Sequence, residues 1–365
     1  MSMTTAPAEE KNRFLQLLSV VAIGTLALSA CGDNGDDDAD EDTDTEVTDA
    51  DSNGDDNDAE DNGDDAEAGG LTIEDDHGTH EIPETPESIG AFDNRSFRTL
   101  EAFGVELSVA ARSLMDEQTH GYATDEDILD TGNHREPDLE QIIAAEPDLI
   151  INGQRYSQYY EDIIDVTESA GYDTVVLEFD EAVNDPDTFI EGLIEKTEKL
   201  GEVFGEQETA QEIIDEFEAE VDRVTELYDG ESTVMGLMTS GGDIQYLAPG
   251  TGRTIGPLFN AFDLVPALEQ DAEDEAHGDD ISVEAIADAN PDWLLVTDRD
   301  ARLDSDDPDY QPADELLAES PALQEVTAVQ EGNIVYTPDD MYLTEDIQAY
   351  TEFLRDFADA LEDAQ

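Results

Sequence analysis

This 365-residue chain has little positive charge and almost no sulfur chemistry: one cysteine, three lysines and 14 basic residues in all. A lone cysteine excludes an intrachain disulfide and any cysteine-based zinc centre. The 98 acids that face those few bases leave a net charge of −84. Such a field repels phosphate backbones and anionic headgroups, which excludes nucleic acid and polybasic membrane binding as functions. The one extended apolar run, Phe14 to Leu28, is too short for a comfortable membrane span. No Gly-x-Ser-x-Gly elbow is present, so a hydrolase would lack its usual nucleophile and no enzyme activity is expected. The histidines do not converge as a zinc or manganese centre would need: His77 and His80 flank a turn, and His120 and His134 sit in loops.

What is there begins with acid. Residues 32–70 hold 19 acids, and residues 71–365 still hold 77 against 12 bases, or −65. A globular body with that balance strains under self-repulsion in dilute salt. The composition therefore reads as adapted to molar salt, where the Debye length shrinks to about 3 Å.

The N-terminus supplies an address. Lys11 and Arg13 precede the apolar run, which ends in Leu28-Ser29-Ala30-Cys31. A basic start, a short apolar stretch and small residues before a cut site make a secretory signal over residues 1–30. The position of Cys31 resembles a lipobox, in which this thiol takes a lipid and becomes the mature N-terminus; the other possibility is an adventitious cysteine. Residues 31–70 are then expected to be a disordered acidic tether, since they carry no aromatic residue and too little apolar surface to offset chain entropy.

Beyond residue 70 the apolar content suffices for real cores, and the pattern predicts an α/β protein of two similar lobes with central parallel sheets, residues 71–182 and 207–365. A hairpin is expected at residues 71–82 around Asp76-His77-Gly78, and short apolar runs at Ile89–Phe92, Leu149–Ile151 and Thr174–Leu177 alternate with helical segments. An internal echo supports duplication. Glu140 is followed seven residues later by Pro147-Asp148 and an apolar run, and Glu284 by Pro291-Asp292 and another. Between the lobes, Phe189, Leu193, Thr197 and Leu200 share one helical face, which predicts a rigid connecting helix within residues 183–206 and little lobe closure.

In so acidic a chain the positions of the arginines are informative. Arg95, Arg155 and Arg299 each follow a predicted strand, and Arg253 lies in the turn Ala248-Pro249-Gly250-Thr251-Gly252-Arg253. Ligands of open α/β sheets bind at the carboxyl ends of strands, so arginines from both lobes would face one cleft and grip an anion with planar donors. Each could equally pair with a nearby acid. His277 lies in a loop preceding the echo helix and Tyr342 follows a predicted strand at Asn333 to Tyr336, and imidazole and phenolate are competent ligands for ferric iron.

Residues 71–365 resemble the class III substrate-binding lipoproteins of ABC importers that capture ferric catecholate siderophores. The resemblance rests on Gly78-Thr79-His80-Glu81-Ile82-Pro83, Arg135-Glu136-Pro137-Asp138, the Pro-Gly turn with Arg253, Ala276-His277-Gly278, Asp292-Trp293 through Arg299-Asp300, and Met341-Tyr342-Leu343. It implies a monomer with no intrinsic cofactor, anchored outside the cell membrane through Cys31, that hands a ferric siderophore to a permease and its ATPase. It implies further that Arg155, Arg253 and Arg299 cradle the ferric complex, that His277 and Tyr342 can complete the iron shell, and that Glu140 and Glu284 dock onto the permease. Arg95 would add a fourth base to the cleft. The same fold serves haem, cobalamin and hydroxamate complexes, and a membrane-tethered sensor is the alternative from another class.

Overall fold

The computed structural model describes residues 70–303, 305 and 307–365. The expected signal, Cys31 and nearly all of the acidic stretch lie outside these residues. The described chain opens with an antiparallel hairpin, β1 (Thr72–Asp75) and β2 (Gly78–Glu81), where Asp75 and Gly78 close the turn. Five short strands follow: β3 (Ile89–Ala91), β4 (Val109–Ala110), β5 (Leu129–Asp130), β6 (Leu149–Ile151) and β7 (Val175–Leu177). They pair in the order β5-β4-β3-β6-β7, all parallel, as strands joined by helical crossovers must when both faces are covered.

The second sheet departs from the expected parallel pattern. It is built from β8 (Thr233–Ser240), β9 (Asp243–Leu247), β10 (Val265–Pro266), β11 (Asp279–Asp280), β12 (Trp293–Asp298) and β13 (Ile334–Tyr336). A parallel centre, with β10 and β12 on β8 and β13 on β12, is extended by antiparallel β9 and β11. The physical cause is local: Gly241 and Gly242 both take positive φ, 60° and 81°, and turn the chain straight back from Ser240 to Asp243.

The echo has a structural meaning. Glu140 and Glu284 sit in the first turns of two short helices, Leu139–Ala145 and Val283–Ala289, capped by Asp138 and Ser282. Both helices end on a left-handed residue, Glu146 and Asn290, followed by proline. The aspartate after each proline then latches the start of the neighbouring central strand. Asp148 accepts from the backbone N–H groups of Glu87 and Ser88 at 2.8 and 3.2 Å, and Asp292 from the N–H and hydroxyl of Thr233, both at 2.8 Å. The Pro-Asp pair thus sets the register of β6 on β3 and of β12 on β8.

The helix Phe189–Phe204 belongs to both halves. Phe189 and Leu193 pack into the core of the second sheet, together with the helices Gln207–Leu227 and Ile347–Asp363, while Leu200 and Val203 pack into the core of the first. Gly192 permits this: a Cβ there would lie 2.5 Å from the backbone of Ala182 and Val183. On the same helix Lys196, only 3% exposed, pairs with Asp93 at 2.6 Å and Asp180 at 2.8 Å beneath the first sheet's strand ends.

Candidate functional site: an arginine-lined cleft

The carboxyl ends of β6 and β12 open onto a cleft of about 630 Å³, within the usual span of small-molecule sites. Its walls include Arg155 and Arg135 from the first lobe, Arg253, Arg299 and His277 from the second, and Tyr342 at the base. Arg155 and Arg299 hold the same position in the two halves, each eight residues after the echo proline.

Local geometry aims each of these arginines. Ahead of Arg155, Gly153 leaves no room for a side chain, since a Cβ would meet Asp180 at 2.6 Å and Asp93 at 3.0 Å, and the N–H of Gln154 donates to Asp180. Arg253 ends a tight turn in which a Cβ on Gly252 would lie 2.6 Å from the backbone nitrogen of Ala248. Its own N–H donates to the carbonyl of Glu275 at 2.9 Å, so the turn carrying Arg253 also holds the loop carrying His277. Arg299 donates from its backbone to Thr239 at 3.1 Å and from its guanidinium to Ser240 Oγ and Asp300 Oδ1, both at 2.9 Å.

Tyr342 is the point on which the three converge. The guanidinium carbons of Arg155, Arg253 and Arg299 lie 5.2, 4.2 and 5.3 Å from its ring centroid. Its carbonyl accepts from Arg155 Nη2 at 2.7 Å and from Arg253 Nη2 at 3.2 Å, one donor from each lobe. The short helix Met341–Thr344 is in turn sewn to the first lobe by Asn94, whose amide donates to the carbonyls of Leu343 and Thr344 at 2.8 and 3.2 Å.

Electrostatics separate the arginines. Burial and the neighbouring Arg253 push Arg155 down to about 10. Burial opposes the charge of Arg299 too, but the Tyr342 phenol and Asp300 outweigh it and raise that group above its ordinary value. Arg253 pairs with Glu345, which is buried; burial would raise that carboxyl, but Arg253, Arg95 and Arg155 hold it below the usual range. His134 on the first-lobe wall is lowered by burial and by Arg155, and its Nδ1 has no partner among the described residues.

The residues singled out from the sequence divide accordingly. Arg155, Arg253, Arg299, His277 and Tyr342 line one cleft. Tyr342 is 4% exposed, whereas the His277 side chain is 54% exposed and contacts Asp274 at 3.2 Å. Arg95 does not line the cleft. Its guanidinium is held by Asn184 at 2.8 Å and Asp180 at 3.4 Å, within the ionic cluster around Lys196, because three carboxylates and an amide beneath the strand ends compete for it. Glu140 and Glu284 are both exposed at the starts of their helices. Gln154, Gln158, His134 and Arg135 also line the cleft. Of these only Arg135 had a sequence signal, as part of a motif quoted above. Glu345 had none, being one acid among 98.

Known proteins share this fold. The petrobactin-binding protein YclQ of Bacillus subtilis is 24% identical over 95% of this chain and 98% of its own length. Among solved structures, the siderophore-binding protein BauB, bound to two molecules of acinetobactin and ferric iron, superposes with a TM-score of 0.67 at 22% identity over 80% of this chain and 98% of that one. The catecholate-siderophore-binding protein VctP of Vibrio cholerae does so with a TM-score of 0.65 at 22% identity, covering 79% and 98%. The sequence profile of periplasmic binding proteins matches residues 89–341, from the start of β3 to the residue before Tyr342. The matched stretch runs through both sheets and the helix between them, and the chain belongs to the periplasmic binding protein family.

Proposed function

We propose that this protein captures a ferric siderophore of catecholate type in the interlobe cleft and delivers it to an ABC permease with its ATPase. The observation that carries the reading is the convergence of Arg155, Arg253 and Arg299, from both lobes, around the Tyr342 ring. Guanidinium groups offer planar, charge-assisted donors to catecholate oxygens, each such bond worth roughly 1.5–3 kcal/mol. The petrobactin, acinetobactin and catecholate ligands of YclQ, BauB and VctP support the same class. The cleft needs no cofactor of its own, iron arriving within its ligand. Where that ligand supplies only four donors, Tyr342 and His277 complete the iron shell.

The role outside the cleft follows from the same reading. A lipid on Cys31 would anchor the protein to the outer face of the membrane, and the exposed Glu140 and Glu284, at matching places on the two lobes, would meet the permease. No helix among the described residues is long and apolar enough to cross a membrane. The acidic composition suits capture in molar salt, where long-range steering is screened and short desolvated contacts must carry affinity.

The test is a titration in molar potassium chloride with ferric tris-catecholate, ferric tris-hydroxamate, haem and cobalamin, following intrinsic fluorescence and the ligand-to-metal absorption band. Tight binding of the catecholate complex alone is expected. With a tetradentate catecholate, a band shift in the wild type that vanishes in Tyr342→Phe marks direct ligation. Preference for haem, cobalamin or the hydroxamate would reassign the ligand.

A further inference from the structure

Glu345 carries a negative charge at the base of a cleft built to hold an anion. Its side chain is 3% exposed. Besides accepting from Arg253 in its own lobe, it accepts from Gln154 Nε2 of the other lobe at 2.9 Å, so one carboxylate ties the Arg253 turn to the residue before Arg155. Three arginines hold it ionised against the pull of burial.

The backbone around it is unusual. Six non-glycine residues among those described take positive φ. Glu146 and Asn290 end the echo helices, but Gln154 (42°), Thr254 (64°) and Glu345 (48°) cluster at the cleft base, next to Arg155, next to Arg253 and on the carboxylate itself. Left-handed backbone costs a non-glycine residue free energy and persists where surrounding contacts impose it. Here those contacts are the Glu345 bonds to Gln154 and Arg253, and the Tyr350 hydroxyl on the carbonyl of Thr254 at 2.9 Å.

Charge accounting shows what the arrangement does. Four arginines line the cleft, at 135, 155, 253 and 299. Two have carboxylate partners, Arg253 with Glu345 and Arg299 with Asp300, while Arg135 and Arg155 make no ion pair with any described residue. The ligand therefore meets two uncompensated guanidiniums rather than four. We propose that Glu345 is a specificity-determining residue whose carboxylate cancels one guanidinium, flattening the cleft's preference for the most highly charged ferric complexes and extending its ligand class to mixed catecholate chelates less negative than a tris-catecholate. This rests on the function proposed above.

The experiment measures affinities of the full chain for hexadentate ferric chelates on one scaffold: a neutral tris-hydroxamate, a doubly negative bis-catecholate hydroxamate and a triply negative tris-catecholate. In Glu345→Gln the ratio of tris-catecholate to mixed-chelate affinity is expected to rise about tenfold, as one added unit of positive charge near a partly buried anion implies. The double variant Glu345→Gln with Arg253→Met, which restores the wild-type charge, should return the ratio to its wild-type value even though affinity falls. The double variant also serves if the single one does not fold, since a ratio shifted there by tenfold in either direction would overturn the proposal. Parallel losses for both complexes in Glu345→Gln, with the ratio unmoved, would reduce Glu345 to a structural role. A wild type that binds neither catechol-containing chelate would instead sink the function on which the proposal rests.

Discussion

Arg155 and Arg299 occupy the same place in two copies of one α/β unit, yet they differ in charge environment. Arg299 has Asp300 at 2.9 Å and the Ser240 hydroxyl to hold it; Arg155 has the Tyr342 carbonyl and, nearby, the repelling charge of Arg253. The floors beneath them differ as well. In the first lobe a buried lysine, an arginine and two aspartates fill the space under the strand ends, while in the second Asp300 accepts from the N–H of Gly241 and the Ser240 hydroxyl. Duplication supplies the position of a cleft side chain. The few residues around it, free to diverge, decide how much of its charge is left for a ligand.

The largest expected effect tests the floors. Lys196→Met removes the cation that Asp93 and Asp180 share, leaving buried Asp93 without an ion-pair partner and Asp180 with Arg95 alone, and should cost about 3–5 kcal/mol in denaturant unfolding. If the lobes differ as described, the loss is centred on the first, and hydrogen exchange should show β3 and β7 opening before β8 and β12. Uniform loosening of both sheets would erase that distinction.

A second test addresses the seam between lobes. Asp346 caps the C-terminal helix, accepting from the N–H of Ala349 at 2.7 Å, and lies 3.8 Å from Arg98 of the first lobe. Burial pushes its carboxyl up to about 7, only partly opposed by Arg98. Between about pH 4 and 7 the unfolded chain therefore releases this proton while the folded one keeps it, so this group's contribution to stability falls as pH rises. Asp346→Asn keeps the cap and lacks the titration; its stability relative to wild type should rise by a few kcal/mol across that window. A difference independent of pH would mean that the seam holds Asp346 ionised throughout.

The smallest effect bears on the arginines themselves. Arg155→Ala should weaken ferric catecholate binding about 30-fold, and Arg299→Ala about fivefold, because the second guanidinium is already partly engaged by Asp300. Equal losses, measured by fluorescence quenching at one salt concentration, would break the comparison between the two copies.

Much of this was legible in advance, and for identifiable reasons. The echo showed because a proline after a left-handed helix end and an aspartate that latches a strand are local requirements, satisfied within about a dozen residues. The connecting helix showed through its apolar period. The antiparallel edge of the second sheet did not, although Gly241-Gly242 was its marker, because a two-glycine turn reveals a reversal only once the flanking runs are taken as strands. Arg95 shows the opposite limit. It follows a strand as Arg155 and Arg299 do, yet Asp180 and Asn184, more than eighty residues away, draw it out of the cleft.

By itself the sequence determined the α/β class, the duplicated unit and the scarcity of positive charge that makes each arginine worth locating, since these depend on residue type and spacing along the chain. Only the tertiary structure decided which arginines line the cleft, that Tyr342 gathers them, and that Glu345 offsets one of them. Those outcomes depend on burial and on contacts between residues far apart in the chain, such as Arg253 and Glu345, 92 positions apart, where a carboxylate changes a charge that no local pattern encodes.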